Sequence, residues 1–333
     1  MFVAISGWSS FVYAAPIDDL VAAAKKEGVI EFYAPSSLTL KGAQTIGEAV
    51  NKKYGLDIKL NYSSSGNMPT DVGNVVGRSA SGIPPEWDIM VVTDGHHSSL
   101  WVKKLHQVYD YRALGVDPKA IQYDGGTVSF ANQIVLPVYN KKLVAAKDVP
   151  QKWEDLLDPK WKGKLGMSTA IHHLARLAAG PWGEEKTINF VKALTKQDLV
   201  LGRMGEIYSR LLLGEILVAV SLTDSELNAE RNKDAPIVFA EKVLPVVAPA
   251  YQAGVLKGAK HPNLAHLIAA FLTTPEGQKI WERYGGQTSV LVPGTAAYKF
   301  AQGKKLVIMT QDQAATVDRL SKEYGKILGF GGM

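Results

Sequence analysis

The first third of the chain alternates between helical and strand spacing of its apolar residues. Within 17–24 the apolar positions recur at helical spacing, which predicts a helix that ends at Gly28. The β-branched and aromatic run 29–33, the amphipathic run 41–54 and the period-two alternation of 57–62 then predict strand, helix and strand. This order is typical of an α/β domain.

The alternation continues along the chain. Residues 69–78 predict a helix, 88–92 a buried strand and 98–105 another helix. Strands that alternate with helices at this spacing indicate a mostly parallel sheet with helices on both faces. A length of 333 residues suggests about two domains. Near the carboxyl end, 314–328 predicts a helix whose apolar residues are in register, namely Val317, Leu320, Tyr324 and Ile327.

Short polar side chains gather where the predicted strands end. In sheets of this kind, ligands bind beyond the carboxyl ends of the strands, where loops lead into helices. Hydroxyls and free backbone N–H groups there suit an oxygen-rich or anionic ligand. The same residues are also common helix caps and turn formers. The candidate ligand-binding residues of the first half are Ser36, Ser37, Ser64, Ser65, Thr93 and Asp94.

Two further strand-to-helix segments occur in the second half. The stretch 164–174 places Ser168, Thr169 and His172 at the start of a predicted helix, and it is the best candidate anion site. The stretch 218–226 adds Thr223 and Asp224. Asp224 either accepts a hydrogen bond from a ligand hydroxyl or amine or caps its helix.

Composition excludes several function classes. The formal net charge is +5 and the charged residues are scattered, so the basic stripe expected of a nucleic-acid-binding protein is missing. There is no cysteine, which excludes disulfides, thiolate metal sites and a cysteine nucleophile. The sequence contains no G-x-S-x-G, G-x-x-x-x-G-K-[ST], G-x-G-x-x-G or H-E-x-x-H motif.

The beginning of the sequence resembles an export signal. Residues 2–13 are mostly apolar or small, and Val12 and Ala14 stand at the −3 and −1 positions of a signal-peptidase site. We expect residues 1–14 to be a signal peptide and the protein to be periplasmic. Because this stretch carries no Lys or Arg, we expect the natural start to lie upstream.

Four of the seven histidines form two adjacent pairs in predicted ligand loops, His96 with His97 and His172 with His173. Adjacent residues rarely ligate one ion together. A metal site would therefore take one histidine from each pair, with Asp94 and Asp224 as further ligands. The alternatives are hydrogen bonds to a phosphate or carboxylate, and capping or surface roles. We assign no metal ligand and no cofactor from the sequence.

Further stretches carry a family resemblance, namely 29–34, 51–58, 86–90, 138–140 with 149–164, and 259–263 with 271–278. The first three resemble the opening third of a known family, the ferric-iron-type class of bacterial ABC-transporter solute-binding proteins. The stretches 138–140 and 149–164 resemble the return into the second domain of these proteins, and 259–263 with 271–278 resembles their paired late helices. The resemblance runs from about Val29 to Tyr284.

This resemblance implies a type 2 periplasmic binding protein, with two Rossmann-like α/β lobes that close on a ligand. We expect crossover segments near 125–131 and 243–248. The first lobe would comprise 15–128 and 246–300, and the second lobe 129–245 and 301–333. The family also implies a monomer that delivers its ligand to an ABC permease in the inner membrane.

The resemblance leaves the ligand open. Ferric-binding members carry adjacent tyrosines near the position of 221–226, whereas this sequence has no Tyr-Tyr pair. Relatives bind phosphonates, sugar phosphates, thiamine or polyamines. The hydroxyl-rich loops favour a small anionic ligand such as a phosphate ester, phosphonate or carboxylate. The alternatives are a metal-binding protein of the same class, ferric or other, and a hydrolase or transferase on the same two-lobed frame.

Overall fold

A computed structural model describes residues 17–65, 67–228, 232 and 234–330. Its strands are β1 Val29–Pro35, β2 Lys59–Ser65, β3 Ile89–Thr93, β4 Ile121–Gln122, β5 Thr127–Asn132, β6 Val135–Asn140, β7 Leu165–Ser168, β8 Val200–Gly202, β9 Val218–Thr223, β10 Ile237–Phe239, β11 Val246–Val247, β12 Ala250–Val255 and β13 Leu306–Val307. Its helices are α1 Ile17–Glu27, α2 Thr39–Tyr54, α3 Met68–Ala80, α4 Asp94–Val102, α5 His172–Ala179, α6 Gly183–Leu194, α7 Met204–Leu213, α8 Asp224–Asn228, α9 Pro262–Leu272, α10 Pro275–Gly285, α11 Ala296–Ala301 and α12 Ala314–Leu328. The predicted signal peptide, 1–14, lies outside the described residues.

The strands form two sheets, each covered by helices. The first sheet has the order β2-β1-β3-β12-β5-β4, and the second has the order β13-β11-β6-β9-β7-β8 with β10 beside β6. The predicted two-lobed α/β fold is confirmed. Both sheets are mixed. Each strand next to a passage between the sheets runs antiparallel to at least one adjacent strand; these strands are β5, β6, β11 and β12.

The chain passes between the sheets where one strand ends and the next begins. It leaves the first sheet after Asn132 and returns to it at Ala250. A third passage follows α10, because Val290 and Ala297 pack in the core of the second sheet. These positions differ by a few residues from the predicted crossovers and place 290–300 with the second core. The exact division into lobes stays a prediction.

Local pattern explains most of the helices. Helix α2 ends at Gly55, which adopts φ 63°, and the side chain of Thr274 caps α10 by accepting from Gly277 N–H. The predicted helix 314–328 is confirmed as α12, which packs on α5 and α6. The helix predicted at 98–105 begins earlier, at Asp94. Residues 94–99, predicted as a loop, are therefore helical, because polar residues that suit a turn also suit a first helical turn.

None of the helices in the described part of the chain is long and apolar enough to cross a membrane.

Candidate ligand site between the two sheets

A buried ion pair joins the two halves of the molecule. Asp94 is the first residue of α4, directly after β3 of the first sheet, and Arg176 lies on α5, which follows β7 of the second sheet. Arg176 Nη2 donates to Asp94 Oδ1, and the side chains are 0% and 1% exposed. Gly95 leaves room for the guanidinium, since a Cβ there would lie 3.3 Å from Nη2. Such burial of two charges requires close pairing and further hydrogen bonds.

Both partners of the pair are held by additional hydrogen bonds. Asp94 Oδ2 accepts from Ala250 N–H at 3.2 Å, at the point where the chain returns to the first sheet. The Asp94 carbonyl oxygen accepts from Ser98 Oγ and Tyr123 Oη, each at 3.0 Å. On the other side, Arg176 Nη1 donates to the His172 carbonyl oxygen at 3.2 Å. The pair is thus fixed at both ends.

Three histidines surround the pair. The rings of His96 and His172 meet across the two halves with centroids 6.3 Å apart, and His173 lies 4.4 Å from His172. Burial, with the Arg176 charge second, lowers the pKa of His96 to about 4 and that of His173 to about 3. Burial, followed by the charges of His173 and Arg176, lowers the pKa of His172 well below 6.5. All three rings are therefore neutral at pH 7.

The other predicted histidine, His97, points elsewhere. Its Nδ1 shares a hydrogen bond of 2.9 Å with His106 Nε2, and its Nε2 pairs with the Gln252 carbonyl oxygen at 3.0 Å. It belongs to the interior of the first sheet rather than to the interface between the halves.

Asp224 opens α8 beside the first passage between the sheets. Its N–H donates to the Ile134 carbonyl oxygen at 3.0 Å, and the residue is 5% exposed. Burial raises the pKa of Asp224 to about 8, although backbone N–H groups such as that of Ser225 oppose the shift. Its carboxyl is therefore mostly protonated at pH 7. Burial and the nearby Asp224 also raise the pKa of Tyr251, whose Oη accepts from Gln133 Nε2 at 3.2 Å.

Several buried polar atoms near the interface have no hydrogen-bond partner among the described residues. Buried polar groups in proteins are almost always hydrogen-bonded, so these atoms are candidates for contacts with an external ligand. Ser168 is the last residue of β7, and Ser221 lies two residues before the end of β9. These two strands are adjacent and parallel, with Leu165 opposite Val218. Gln287 follows Gly286, whose carbonyl oxygen accepts from Asn228 Nδ2 of α8. Among these atoms are Ser168 Oγ, His173 Nδ1, Arg176 Nε, Ser221 Oγ, Asp224 Oδ1 and both amide atoms of Gln287, and other unpartnered buried atoms, such as Trp161 Nε1 and Trp281 Nε1, lie elsewhere in the molecule.

The structure brings together part of the predicted site. Thr93 binds His96 Nδ1 through its Oγ1 at 2.8 Å, and Thr223 Oγ1 lies 2.5 Å from Ser225 Oγ. Both threonines are buried; Thr93 directly precedes Asp94, and Thr223 directly precedes Asp224. The predicted residues near the interface are Thr93, Asp94, Ser168, His172, Thr223 and Asp224.

The remaining predicted residues lie differently. Ser36, Ser37, Ser64 and Thr169 are exposed, and Ser65 Oγ donates to Asp71 Oδ2 at 3.4 Å. The strand order accounts for Ser36, Ser37 and Ser64, because β2 is the edge strand with β1 beside it, whereas β3 adjoins β12. A position beyond the carboxyl end of a strand of this sheet is therefore not enough to bring these serines to the Asp94–Arg176 pair.

Sequence reasoning missed Arg176 and Gln287 and did not select Ser221. Arg176 offered a signal, since it is four residues after His172, one helical turn along the same face. It is also the single cation of the helix HHLARLAA. Gln287 lies in a segment without regular pattern, and nothing in the sequence marks it.

The described residues contain no group of three or more His, Asp or Glu side chains arranged to hold a metal ion. His96 and His172 are thus not joined by a third such ligand.

Comparisons with known proteins agree with this architecture. The iron-bound HitA of Pseudomonas aeruginosa superimposes with a TM-score of 0.68 at 17% identity, covering 92% of this chain and 99% of that one. An ABC-transporter substrate-binding protein of Agrobacterium tumefaciens gives 0.72 at 17% identity, covering 92% and 96%. AfuA of Actinobacillus pleuropneumoniae, with fructose-6-phosphate bound, gives 0.69 at 19% identity, covering 90% and 98%. At these identities the likeness shows the fold.

Sequence comparison supplies the family. An uncharacterized protein of Haemophilus influenzae is 30% identical over 160 residues, and the match spans 45% of each chain, less than half of that relative. The family model for bacterial extracellular solute-binding proteins matches residues 101–317, well over half of this sequence. The chain therefore belongs to the family of bacterial extracellular solute-binding proteins.

Proposed function

We propose that this protein is the solute-binding component of an ABC importer and that it captures a small anionic ligand between its two lobes. A phosphate ester, phosphonate or carboxylate fits best. The lobes close on the ligand by a hinge motion, and the closed monomer delivers it to an inner-membrane permease from the periplasm. The family supports a binding role rather than catalysis.

The observation that carries this proposal is the state of Arg176. Among the described lysines and arginines, only Arg176 is buried. A guanidinium has five N–H donors, and Nε of Arg176 has no partner. Ser168 on the preceding strand carries another unpartnered donor. Donors of this kind, beside the start of α5, bind oxyanions.

The protonation states around the site add no negative charge beyond that of Asp94, which Arg176 already neutralises. The three interface histidines are neutral, and Asp224 is mostly protonated at pH 7 because burial raises its pKa to about 8. An incoming anion therefore meets Arg176 without a further carboxylate charge from Asp224. Asp224 Oδ1 offers a contact for a ligand hydroxyl or amine. Contacts of the ligand with Ser36, Ser37, Ser64, Ser65 and Thr169 stay proposals.

Calorimetric titration with fructose 6-phosphate, inorganic phosphate, acetate and spermidine tests the proposal. We expect the phosphorylated or carboxylated probes to bind, and Arg176→Gln to weaken binding by roughly 10- to 150-fold, because a hydrogen bond to a charged group contributes about 1.5–3 kcal/mol. The matched control is Arg319→Gln, since Arg319 is exposed and pairs with Glu184. Binding of spermidine alone would refute the anion assignment.

The contact between His96 and His172 favours a second candidate, a metal ligand. HitA is iron-bound, and a Trichodesmium FutA is known in complex with iron and citrate. The charge of Arg176 argues against a bare cation, because the same charge lowers the pKa of both histidines. Titration with Fe³⁺ and Zn²⁺, with and without citrate, distinguishes the two candidates. Metal binding that survives Arg176→Gln and is lost in His172→Ala would favour the metal.

A further inference from the structure

We propose that the protein has a second ligand site, at the opposite end of α4 from Asp94, which binds a small aromatic carboxylate whose ring carries an N–H or O–H group. The site lies outside the interface between the two sheets and is independent of the ligand proposed above. It is a surface cavity of about 630 Å³, a size typical of small-molecule pockets. Its lining includes Trp101, Val102, Lys104, His106, Val108 and Lys257.

The cavity offers an apolar and aromatic surface to a flat ring. Val102 and Val108 line it and are 63% and 47% exposed. The ring centroids of Trp101 and His106 are 6.1 Å apart, and Tyr123 stacks on His106 at 5.9 Å with an angle of 9° between the planes. Aromatic rings favour partners at such distances. A ligand ring would therefore extend a cluster of rings that already exists.

Two lysines favour a negative charge on the ligand. Lys104 and Lys257 are exposed and line the cavity, and no acidic residue of the described chain lines it with them. The backbone of Lys104 has φ 56°, a conformation that residues other than glycine rarely adopt. Backbone conformations of this kind concentrate at functional sites. A carboxylate on the ligand would pair with these ammonium groups.

The histidine of the cavity supplies a hydrogen-bond acceptor. His97 Nε2 lies 3.0 Å from the Gln252 carbonyl oxygen, which can only accept, so this nitrogen carries the proton. Burial lowers the pKa of His97 well below 6.5, so the ring is neutral and its Nδ1 is an acceptor. His106 Nε2, 2.9 Å from this Nδ1, is therefore the donor. Burial also lowers the pKa of His106 to about 4, which leaves its Nδ1 as an acceptor.

This acceptor has no donor of its own. His106 is 6% exposed, and its Nδ1 has no hydrogen-bond partner among the described residues. Two glycines make room for the histidine pair, since a Cβ at Gly254 would lie 2.7 Å from His97 Cε1 and one at Gly126 would lie 3.1 Å from His106 Cβ. An N–H or O–H on the ligand ring would satisfy Nδ1, whereas a ring without a donor would leave it unpaired.

Calorimetric titration with three related probes tests the site. Indole-3-acetate carries the ring, the N–H and the carboxylate, whereas 1-methylindole-3-acetate lacks the N–H and 3-methylindole lacks the carboxylate. We expect indole-3-acetate to bind roughly 2- to 10-fold more tightly than the N-methyl probe, because one hydrogen bond is lost. The loss for 3-methylindole should be similar, because the lysine pairs are lost. Equal affinities for the three probes, or no binding of indole-3-acetate at millimolar concentration, would overturn the site.

Variants locate the bound probe. Lys257→Gln should weaken indole-3-acetate binding by roughly 2- to 5-fold, and Trp101→Leu by roughly 2- to 10-fold. The matched control is Lys260→Gln, because Lys260 is also exposed but does not line the cavity. Arg176→Gln should leave the affinity unchanged. A loss of binding in Arg176→Gln, with none in Lys257→Gln, would place the probe between the lobes and overturn the proposal.

Nuclear magnetic resonance of protein labelled with ¹⁵N-histidine reads the acceptor directly. The Nδ1 resonance of His106 should shift when indole-3-acetate binds, because a hydrogen bond forms at that atom. Saturation with 1-methylindole-3-acetate should leave it nearly unchanged. Shifts of equal size with the two probes would contradict the hydrogen bond and with it the ring donor required of the ligand.

Discussion

Replacement of Asp224 by Asn should remove a pH-dependent loss of stability. Burial raises the pKa of Asp224 from 3.8 to about 8 in the folded protein. Between these values the folded state holds a proton that the unfolded state has released. The stability linked to this proton is fully present below pH 3.8 and is lost as the pH rises through 8.

The size of the effect follows from the shift. Each pH unit between 4 and 8 should cost the wild type about 1.4 kcal/mol relative to Asp224→Asn, because the asparagine stays neutral. The accumulated difference approaches about 6 kcal/mol as an upper bound. For 333 residues, an unfolding entropy of about 2.1 cal/mol/K per residue gives about 0.7 kcal/mol per kelvin. The melting temperatures should therefore diverge by about 2 °C per pH unit.

Thermal unfolding of the empty protein from pH 5 to pH 8.5 measures this divergence. Every other titrating group is common to both proteins, so the difference between the two curves isolates Asp224. Asp57→Asn, at an exposed position, is the matched control and should run parallel to the wild type. Parallel curves for Asp224→Asn and the wild type would show that Asp224 is ionised in the folded protein, and the argument from burial would be wrong.

Three further outcomes follow from the structure. The wild type should lose stability in acid, because burial lowers the pKa of His266 to about 3 whereas the unfolded histidine takes up its proton below about pH 6.5. His266→Gln should recover about 2–3 kcal/mol of that loss at pH 4.5. Chemical denaturation at pH 7 and at pH 4.5 measures the difference. Gly277→Ala should lower the melting temperature by an overpacking cost of about 1–3 kcal/mol, because its Cβ would meet the Phe271 carbonyl oxygen and lie 2.9 Å from Leu272 Cα. Gly73→Ala, whose Cβ meets nothing within 4 Å in α3, should instead be neutral or stabilising by about 1 kcal/mol; equal melting temperatures for the two alanine variants would refute the packing argument.

The sequence predicts a helix or strand well when one buried face sets the spacing of its apolar residues. Helix α12 matches the predicted 314–328 because Val317, Leu320 and Tyr324 must all reach one core. Helix α4 was predicted to start later, because its first turn is polar and helix and loop both satisfy such residues. The helix begins at Asp94 because β3, which ends at Thr93, leads directly into it.

The site is harder to predict because strand order decides which carboxyl ends meet the second lobe. Ser36, Ser64 and Thr93 all follow or end a strand, yet β2 is the edge strand with β1 beside it, and only β3 of these three strands adjoins β12. Arg176 and Asp94 are 82 residues apart. No local pattern indicates that a helix of each lobe would present one member of the same ion pair.

The buried atoms that have no partner among the described residues include atoms of Ser168, His173, Arg176, Ser221 and Asp224. These residues all lie on β7, β9, α5 and α8 of the second lobe, so a polar ligand could contact several of them from that lobe alone. Arg176 offers its Nε for such a contact, because Asp94 and the His172 carbonyl oxygen bind its two Nη atoms. A buried polar atom without a hydrogen bond costs about 1–3 kcal/mol, so each contact of this kind would favour ligand binding. Closure would become favourable through the contacts that the first lobe adds to the same ligand.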